Sequence, residues 1–198
     1  MAVKAEHIVK MLCDGPVIPA IRTSDDFKFA LANVASPSLI LLFGDILTLP
    51  GLLEQAKKAK KRIVVHLDLV DGIGKDKAGV KYLARMGVTA MITTKSHLGK
   101  IASEEGMLVI QRLFLMDSEA LRTGIHLLSV FKPDAVEVLP GSVPAAPVQE
   151  LVRATGLPIF GGGLISTTED VTRAIQNGIC AVSTSKRALW NLTAGKNG

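Results

Sequence analysis

The sequence predicts an α/β fold, a (β/α)8 barrel of the TIM type with parallel strands and a short N-terminal helix. About eight short apolar runs alternate with amphipathic helical segments along the chain. The runs are apolar at nearly every position, as strands buried on both faces of a parallel sheet are. No linker or low-complexity segment interrupts the alternation, so we expect a single domain over residues 1–198. The alternative is an open doubly wound sheet, which the lack of a G-x-G-x-x-G after the first strand disfavours.

The first half of the chain supplies the leading helix and four strands. Residues 2–13 place apolar side chains loosely at helical spacing and end at Asp14-Gly15, which predicts the leading helix. The apolar runs at 16–21, 39–43, 63–69 and 88–93 are the predicted strands. The predicted helices between them span 24–34, with Ser24 as N-cap, then 52–61 and 76–86.

The second half continues the same alternation. Its predicted helices span 96–105, 146–155 and 168–177, and a further helix, capped by Asp117 or Ser118, runs to 131. Its predicted strands span 107–113, 135–139, 157–160 and 179–182. Gly156 and Gly178 are placed as helix C-terminal glycines. A last helix is expected from about Ser185, followed by a frayed tail at 193–198.

Composition excludes several classes of protein. The chain is 48% hydrophobic and 21% charged, which is typical of a soluble globular protein. Cys13 and Cys180 lie in no C-x-x-C motif, so no zinc or redox framework is predicted and a reducing, cytoplasmic setting is expected. No stretch reaches about 18 uninterrupted apolar residues, so neither membrane insertion nor secretion is indicated. We expect no cofactor and no metal.

The glycine turn at 161–163 is the strongest functional signal in the sequence. It follows the apolar run Pro158-Ile159-Phe160 and precedes a helix, and glycines there let backbone N–H groups approach a ligand closely. The apolar run ending at Val182 leads into a second polar turn, Ser183-Thr184-Ser185-Lys186. Adjacent turns of this kind resemble the phosphate site after strands 7 and 8 of a (β/α)8 barrel. The alternative is that the glycines only close a strand.

Polar residues at the ends of the other strands are the remaining candidates, because barrels bind ligands at that end. They are Arg22, Asp45, Asp68, Asp71, Lys95, Gln111, Arg112 and Glu137. A period of two places His66 on the same face as Asp68, and we expect His66 to be a hydrogen-bonded core histidine. A ligand hydroxyl or a cation such as Lys95 would satisfy Asp68 and Glu137, which are costly to bury unpaired.

These residues suit a small phosphorylated polyol, with N–H groups and hydroxyls for the phosphate and carboxylates for the hydroxyls. They also suit acid–base catalysis by Asp68 or Glu137 with Lys95, and the residues alone do not separate the two. A P-loop, a nucleophile elbow, H-E-x-x-H and Cys/His ligand clusters are absent from the sequence.

Five stretches together resemble the glycerol uptake operon antiterminator regulatory proteins. They are 16–22, 65–76, 136–141, 161–165 and 183–186, in the expected order over nearly the whole chain. The resemblance implies a cytoplasmic bacterial regulator that responds to glycerol 3-phosphate and acts on the leader mRNA of a glycerol catabolism operon. It implies that Gly162, Gly163, Ser183 and Ser185 hold the phosphate, and we add Thr184 and Arg22 to the candidate ligand site.

A weaker resemblance links the chain to barrel enzymes that prenylate glycerol phosphate, in which a strand-end glutamate placed like Glu137 binds the glycerol. An enzyme acting on a glycerol phosphate is therefore the alternative function. The long apolar groove and Mg²⁺-binding carboxylate that an isoprenoid substrate needs are not identified in the sequence.

The charge distribution predicts the RNA surface. Residues 1–100 carry 15 Lys and Arg against 9 Asp and Glu, whereas residues 101–198 carry 8 against 9. Lys77, Lys81 and Arg85 recur at i, i+4 and i+8 of one helix. The preceding helix and its end contribute Lys57, Lys58, Lys60, Lys61 and Arg62. We call these eight residues the basic flank and predict that they bind leader mRNA through its phosphates. The alternative is that they are only the solvent-exposed side chains of two amphipathic helices. The sequence leaves open whether the protein forms a homo-oligomer.

Overall fold

Eight parallel strands form a closed barrel in the computed structural model, which describes residues 2–193. Each strand pairs with the next along the chain, and the eighth pairs with the first. The strands are β1 Val17–Ile21, β2 Ser38–Leu41, β3 Arg62–His66, β4 Ala90–Thr93, β5 Leu108–Phe114, β6 Ala135–Leu139, β7 Ile159–Gly162 and β8 Ala181–Thr184. The predicted parallel (β/α)8 barrel is confirmed.

A helix follows each of the first seven strands, and α1 precedes the barrel. The helices are α1 Ala2–Leu12, α2 Ser24–Asn33, α3 Leu49–Lys58, α4 Lys77–Arg85, α5 Ser96–Glu104, α6 Ser118–Val130, α7 Ala145–Thr155 and α8 Thr168–Gln176. Single 3₁₀ turns occupy Leu67–Leu69 and Arg187–Leu189. None of the described helices combines the length and apolarity that crossing a membrane requires.

The core has two layers, one inside the barrel and one between the strands and the helices. Every strand contributes to the inner cluster, whose strand members are Ile18, Ile40, Val64, Ala90, Ile92, Ile110, Ala135, Phe160 and Ala181. Ile8 and Leu12 of α1 belong to the same cluster, so α1 covers the N-terminal end of the barrel. The outer cluster buries the other face of the strands against the helices. Burial on both faces explains why the strands read as continuous apolar runs.

Local hydrogen bonds correct several predicted boundaries. Thr23, not Ser24, is the N-cap of α2, since its hydroxyl accepts the backbone N–H of Asp26 at 3.0 Å. Helix α3 starts three residues earlier than predicted, with Pro50 in its first turn, where a missing N–H costs nothing. The predicted last helix is only the 3₁₀ turn Arg187–Leu189. Residues 194–198 of the predicted tail lie outside the described residues.

The prediction of a strand over 63–69 is wrong beyond His66. The chain leaves the sheet there and forms the 3₁₀ turn Leu67–Leu69. His66 and Asp68 therefore do not continue one strand face, which changes the role of both residues in the candidate site.

Candidate functional site

A pocket of about 370 Å³ opens at the C-terminal ends of the strands, where β1, β2 and β5 to β8 meet. We call it the mouth pocket. Three cationic residues line it, Arg22 after β1, Arg112 on β5 and Lys186 after β8. The residues of the two predicted phosphate turns that line it are Gly163, Ser183, Thr184 and Ser185. No carboxylate occurs among its lining residues, so this end of the barrel is suited to an anion.

The glycine turn requires its glycines for two different reasons. A Cβ on Gly162 would lie 2.8 Å from Glu137 Oε1 and 2.7 Å from Ser183 Oγ, closer than real Cβ atoms approach. Gly163 has φ 73°, in the left-handed region that glycine enters without strain. Leu164 is left-handed too, with φ 57°, and its side chain is exposed. Gly163 therefore lines the mouth pocket together with Leu164, whereas Gly162 is buried against Glu137 and Ser183 and does not line it.

Glu137 is the centre of a buried polar network below the pocket. The Nε and Nη2 atoms of Arg112 both donate to Glu137 Oε2 at 2.7 Å. Ser183 Oγ donates to the other carboxylate oxygen, Oε1, at 2.7 Å. Glu137 is 1% exposed, so this pairing is what permits a charged carboxylate inside the barrel. The cation beside Glu137 is Arg112, and Lys95 has no part in the network.

The second turn is fixed by Thr184 and presents Ser185. Thr184 Oγ1 donates to the carbonyl of Ile165 at 2.8 Å, which joins the turn after β8 to the turn after β7. The indole N–H of Trp190 donates to the carbonyl of Thr184 at 2.8 Å. Within residues 2–193, the side chains of Arg22, Ser185 and Lys186 have no hydrogen-bond or ion-pair partner. These three side chains are thus available to a ligand, whereas the Thr184 hydroxyl is already used.

The N-terminus of α8 is closed to an anion by its own residues. Thr167 and Asp170 form a capping box, and Asp170 Oδ2 accepts the backbone N–H groups of Ser166 and Thr167, each at 3.0 Å. The same hydrogen bonds from Ser166 and Thr167 lower the pKa of Asp170. The donors available to a phosphate in the mouth pocket are therefore those of the glycine turn, Ser185, Arg22 and Lys186, not the N-terminus of α8.

Asp68 lies outside the mouth pocket and supports the loop after β4. Its Oδ2 accepts the backbone N–H of Thr94 at 2.8 Å and the Thr94 hydroxyl at 3.0 Å, and Thr93 Oγ1 donates to Oδ1 at 3.2 Å. Burial alone would raise the pKa of Asp68, but these hydrogen bonds hold it below its ordinary value. Lys95, at the N-cap of α5, is exposed and has no side-chain partner within residues 2–193. The structure does not bring Asp68 or Lys95 to the residues that line the pocket.

His66 is buried as predicted, but the expectation that it is hydrogen-bonded is wrong. Its side chain is 2% exposed, and neither Nδ1 nor Nε2 has a hydrogen-bond partner in the structure. Burial, together with the positive charge of Arg112, lowers the pKa of His66 to about 4. The imidazole is therefore neutral at pH 7.

The model of the glycerol-3-phosphate responsive antiterminators matches residues 17–190. The chain belongs to that family. It is 32% identical to the solved glycerol uptake operon antiterminator regulatory protein of Listeria monocytogenes, over 89% of this chain and 95% of that one, with a TM-score of 0.84. An antiterminator-related protein of Thermotoga maritima is 27% identical over 90% of this chain and 99% of that one, with a TM-score of 0.79.

Two further similarities carry no information about function. The uncharacterized protein YgcP of Escherichia coli is 29% identical over 188 residues, covering 93% of this antiterminator-family chain and 96% of YgcP. A deoxyribose phosphate aldolase of Aeropyrum pernix is 14% identical over 88% of this chain and 87% of that one, with a TM-score of 0.69. At that identity the likeness shows the barrel fold alone.

The basic flank of this antiterminator-family chain is only partly free. Lys61 Nζ donates to three backbone carbonyls at 34–36, and Arg62 Nη1 donates to the carbonyl of Met11 at 2.6 Å. Lys58 pairs with Glu54 at 2.7 Å, and Lys81 with Glu105 at 3.6 Å. The side chains of Lys57, Lys60, Lys77 and Arg85 are exposed and have no partner within residues 2–193. Four residues of the flank line a groove of about 790 Å³, namely Lys57, Lys60, Lys61 and Arg62.

Arg112 lies among the strand-end polar residues, but the sequence predicts no role for it. In the register of β5 and β6, Arg112 is the direct partner of Glu137. The signal that could have found it is this pairing of opposite charges at matching positions of consecutive strands.

Proposed function

We propose that this protein binds glycerol 3-phosphate in the mouth pocket and, with that ligand bound, binds the leader mRNA of a glycerol catabolism operon to prevent early termination. Membership of the glycerol-3-phosphate responsive antiterminator family is the observation that carries the proposal. Both partners are cytoplasmic in bacteria, and we assign the protein to that compartment.

The pocket supports this ligand through its division into a cationic rim and a neutralised interior. At the rim, Arg22 and Lys186 have no acidic partner, and the Gly163 turn and Ser185 add uncharged hydrogen-bond donors. Deeper, the charge of Arg112 is balanced by Glu137. We place the phosphate at the rim, on the Gly162-Gly163 turn and Ser185, and the hydroxyl-bearing end toward the Arg112–Glu137 pair.

The RNA surface that the charges support is the unpaired part of the basic flank. Lys77 and Arg85 lie on the exposed face of α4, and Lys57 and Lys60 border the groove between α3 and the start of β4. A lysine or arginine that neutralises an RNA phosphate releases a counterion condensed on the RNA, and a side chain without an acidic partner can do so without breaking an ion pair of its own. Lys61 and Arg62 donate to backbone carbonyls, so we assign them a structural role before any role in RNA binding.

A ligand screen by thermal melting tests the ligand assignment. At 100 times its Kd, glycerol 3-phosphate adds about 2.7 kcal/mol to the free energy of unfolding. For a domain of this size that raises the Tm by roughly 5–11 °C. Glycerol, which lacks the anion, should leave the Tm nearly unchanged, and equal shifts with the two compounds would contradict the assignment. Lys186→Ala should reduce the shift, whereas Lys100→Ala, on the exposed face of α5, should not.

Two further measurements on the same samples separate a regulator from an enzyme. Anisotropy of a labelled leader RNA, with and without glycerol 3-phosphate, should show binding that the ligand strengthens. Product analysis with glycerol 3-phosphate, with or without Mg²⁺ and a prenyl diphosphate, should show no turnover. We favour the regulator because the Glu137 carboxylate is held by Arg112 and Ser183, two residues that line the pocket. Turnover without RNA binding would establish the enzyme instead.

A further inference from the structure

Within residues 2–193, both ring nitrogens of His66 are buried without a hydrogen-bond partner, and the other buried side-chain atom in that state is Gln111 Oε1. His66 is the last residue of β3, and strand alternation places it on the same face as Val64, which belongs to the cluster inside the barrel. Its register partner on β4, Ile92, belongs to that cluster as well. A buried polar group without a hydrogen bond costs free energy, and native proteins retain few of them. An imidazole kept at this position needs a reason beyond packing.

The surroundings of His66 link it to the mouth pocket. The register pairs Leu41 of β2 with Val65 of β3, so His66 lies beside Leu42, which lines the pocket. Arg112 lines the pocket as well, and its charge contributes to the low pKa of His66. Asp68, on the other side of the 3₁₀ turn, acts in the opposite direction but is engaged by Thr93 and Thr94. Lys75 is the third charged group that affects His66, and it also lowers its pKa.

We call His66 and the Arg112–Glu137 pair the floor of the pocket; of the three, Arg112 lines it and the other two are buried. The floor has no net charge, because the imidazole is neutral and Arg112 is paired with Glu137. A neutral imidazole offers one N–H donor and one acceptor nitrogen. A hydroxyl has the same two capacities, whereas a carboxylate only accepts hydrogen bonds. The floor thus matches the uncharged, hydroxyl-bearing end of a ligand whose anionic end lies at the rim.

We propose that His66 holds a hydroxyl of the bound polyol phosphate and determines which ligands the pocket accepts. This rests on the proposed ligand site. Both ring nitrogens are covered in the ligand-free structure, so binding includes a local movement of the side chains around His66. Ligands with a carboxylate in place of that hydroxyl, such as a phosphoglycerate, are rejected at the floor.

A comparison of ligands and variants by titration calorimetry tests the role of His66. The ligands are glycerol 3-phosphate and n-propyl phosphate, which keeps the phosphate but has no hydroxyl. His66→Leu should bind glycerol 3-phosphate about 10- to 100-fold more weakly and n-propyl phosphate with unchanged affinity. His66→Gln, which keeps a donor and an acceptor, should retain part of the difference. Ile92→Val, the matched control in the same barrel interior, should change the two affinities alike.

Stability provides a second readout, which a merely structural histidine would not give. The ligand-free His66→Leu variant should melt at or above the wild-type temperature, because it removes two unpaired nitrogens, while its affinity for glycerol 3-phosphate falls. In wild-type protein with ¹⁵N-labelled histidine, glycerol 3-phosphate should shift the ring nitrogen signals of His66 and n-propyl phosphate should not.

The outcomes separate this inference from the proposed function. If wild type binds glycerol 3-phosphate and His66→Leu keeps the wild-type ratio of the two affinities, His66 does not read a hydroxyl and the inference is overturned. If wild type does not bind glycerol 3-phosphate, the proposed ligand is wrong and the role of His66 falls with it.

Discussion

Replacing Gly162 by alanine should disrupt the Glu137 network from a position that makes no side-chain contact of its own. The added Cβ would lie 2.8 Å from Glu137 Oε1 and 2.7 Å from Ser183 Oγ, so at least one of these atoms must move. Overpacking of this kind costs about 1–3 kcal/mol, and a weakened hydrogen bond to a charged group adds about 1–2 kcal/mol. We expect a loss of about 2–5 kcal/mol in the free energy of unfolding, which lowers the Tm by roughly 4–20 °C.

Thermal melting and glycerol 3-phosphate titration of the variant measure both consequences. Affinity should fall at least about tenfold, because Arg112 and Ser183 line the pocket and change position with Glu137. Gly51→Ala is the matched control: a Cβ there meets nothing within 4 Å, and alanine in helix α3 should stabilise by about 0.5–1 kcal/mol. A Gly162→Ala protein with wild-type Tm and affinity would refute the account of the network.

Three further predictions follow from the same contacts. Glu137→Gln leaves Arg112 buried without its counter-charge and should cost about 3–5 kcal/mol by denaturant unfolding, whereas Glu119→Gln, an exposed partner of Arg122, should cost under about 1 kcal/mol. The pKa of His66 is about 4 in the folded protein and about 6.5 in the unfolded chain, so the unfolded state binds more protons between these pH values. The free energy of unfolding should therefore fall by about 3 kcal/mol as the pH drops from 7 to 4. His66→Leu should remove that part of the loss, and a variant with the wild-type pH profile would contradict the prediction. The triple variant Lys77→Ala, Lys81→Ala and Arg85→Ala should bind leader RNA more weakly and glycerol 3-phosphate with unchanged affinity. The slope of its log binding constant against log salt concentration should fall by roughly 0.7–0.9 per lost phosphate contact. As a control, a double variant of Arg153 and Arg173 should bind leader RNA as wild type does.

The barrel, and the end of it at which the mouth pocket opens, were predictable because they depend on local pattern. Strands buried on both faces give apolar runs, and the C-terminal end of each run marks the functional end of a barrel. Glu137 was predictable for that reason. The position of Arg112 depends on pairing across 25 residues of chain, which no local pattern encodes.

The side chains of Asp68 and Lys61 have partners that the sequence pattern does not indicate, for local physical reasons. His66-Leu67-Asp68-Leu69 alternates polar and apolar residues as a strand does, so nothing in the pattern marks the turn at Leu67. That turn directs the Asp68 carboxylate to Thr93 and Thr94. Lys61 reads as one more lysine of a basic helix, yet the end of α3 places its ammonium against carbonyls that follow α2. Three carbonyl acceptors bind a cation as an anionic partner would, and no count of charges detects them.

Strand β3 joins the two surfaces that the proposed function requires. Arg62 at its start lines the basic groove, and His66 at its end faces the barrel interior below the mouth pocket. Five strand residues span only about 13–17 Å, but the two surfaces lie at opposite ends of the strand, so ligand and RNA cannot touch and must influence each other through the protein. Thermodynamic linkage then fixes a relation between two independent measurements: if glycerol 3-phosphate strengthens leader RNA binding by some factor, saturating RNA must strengthen glycerol 3-phosphate binding by the same factor. Calorimetry with and without RNA, set against anisotropy with and without ligand, measures both factors. Because the two factors must be equal wherever the sites lie, their size is what tests the proposal: a factor of one in both measurements would show that the two sites are not coupled and would contradict a ligand-responsive regulator.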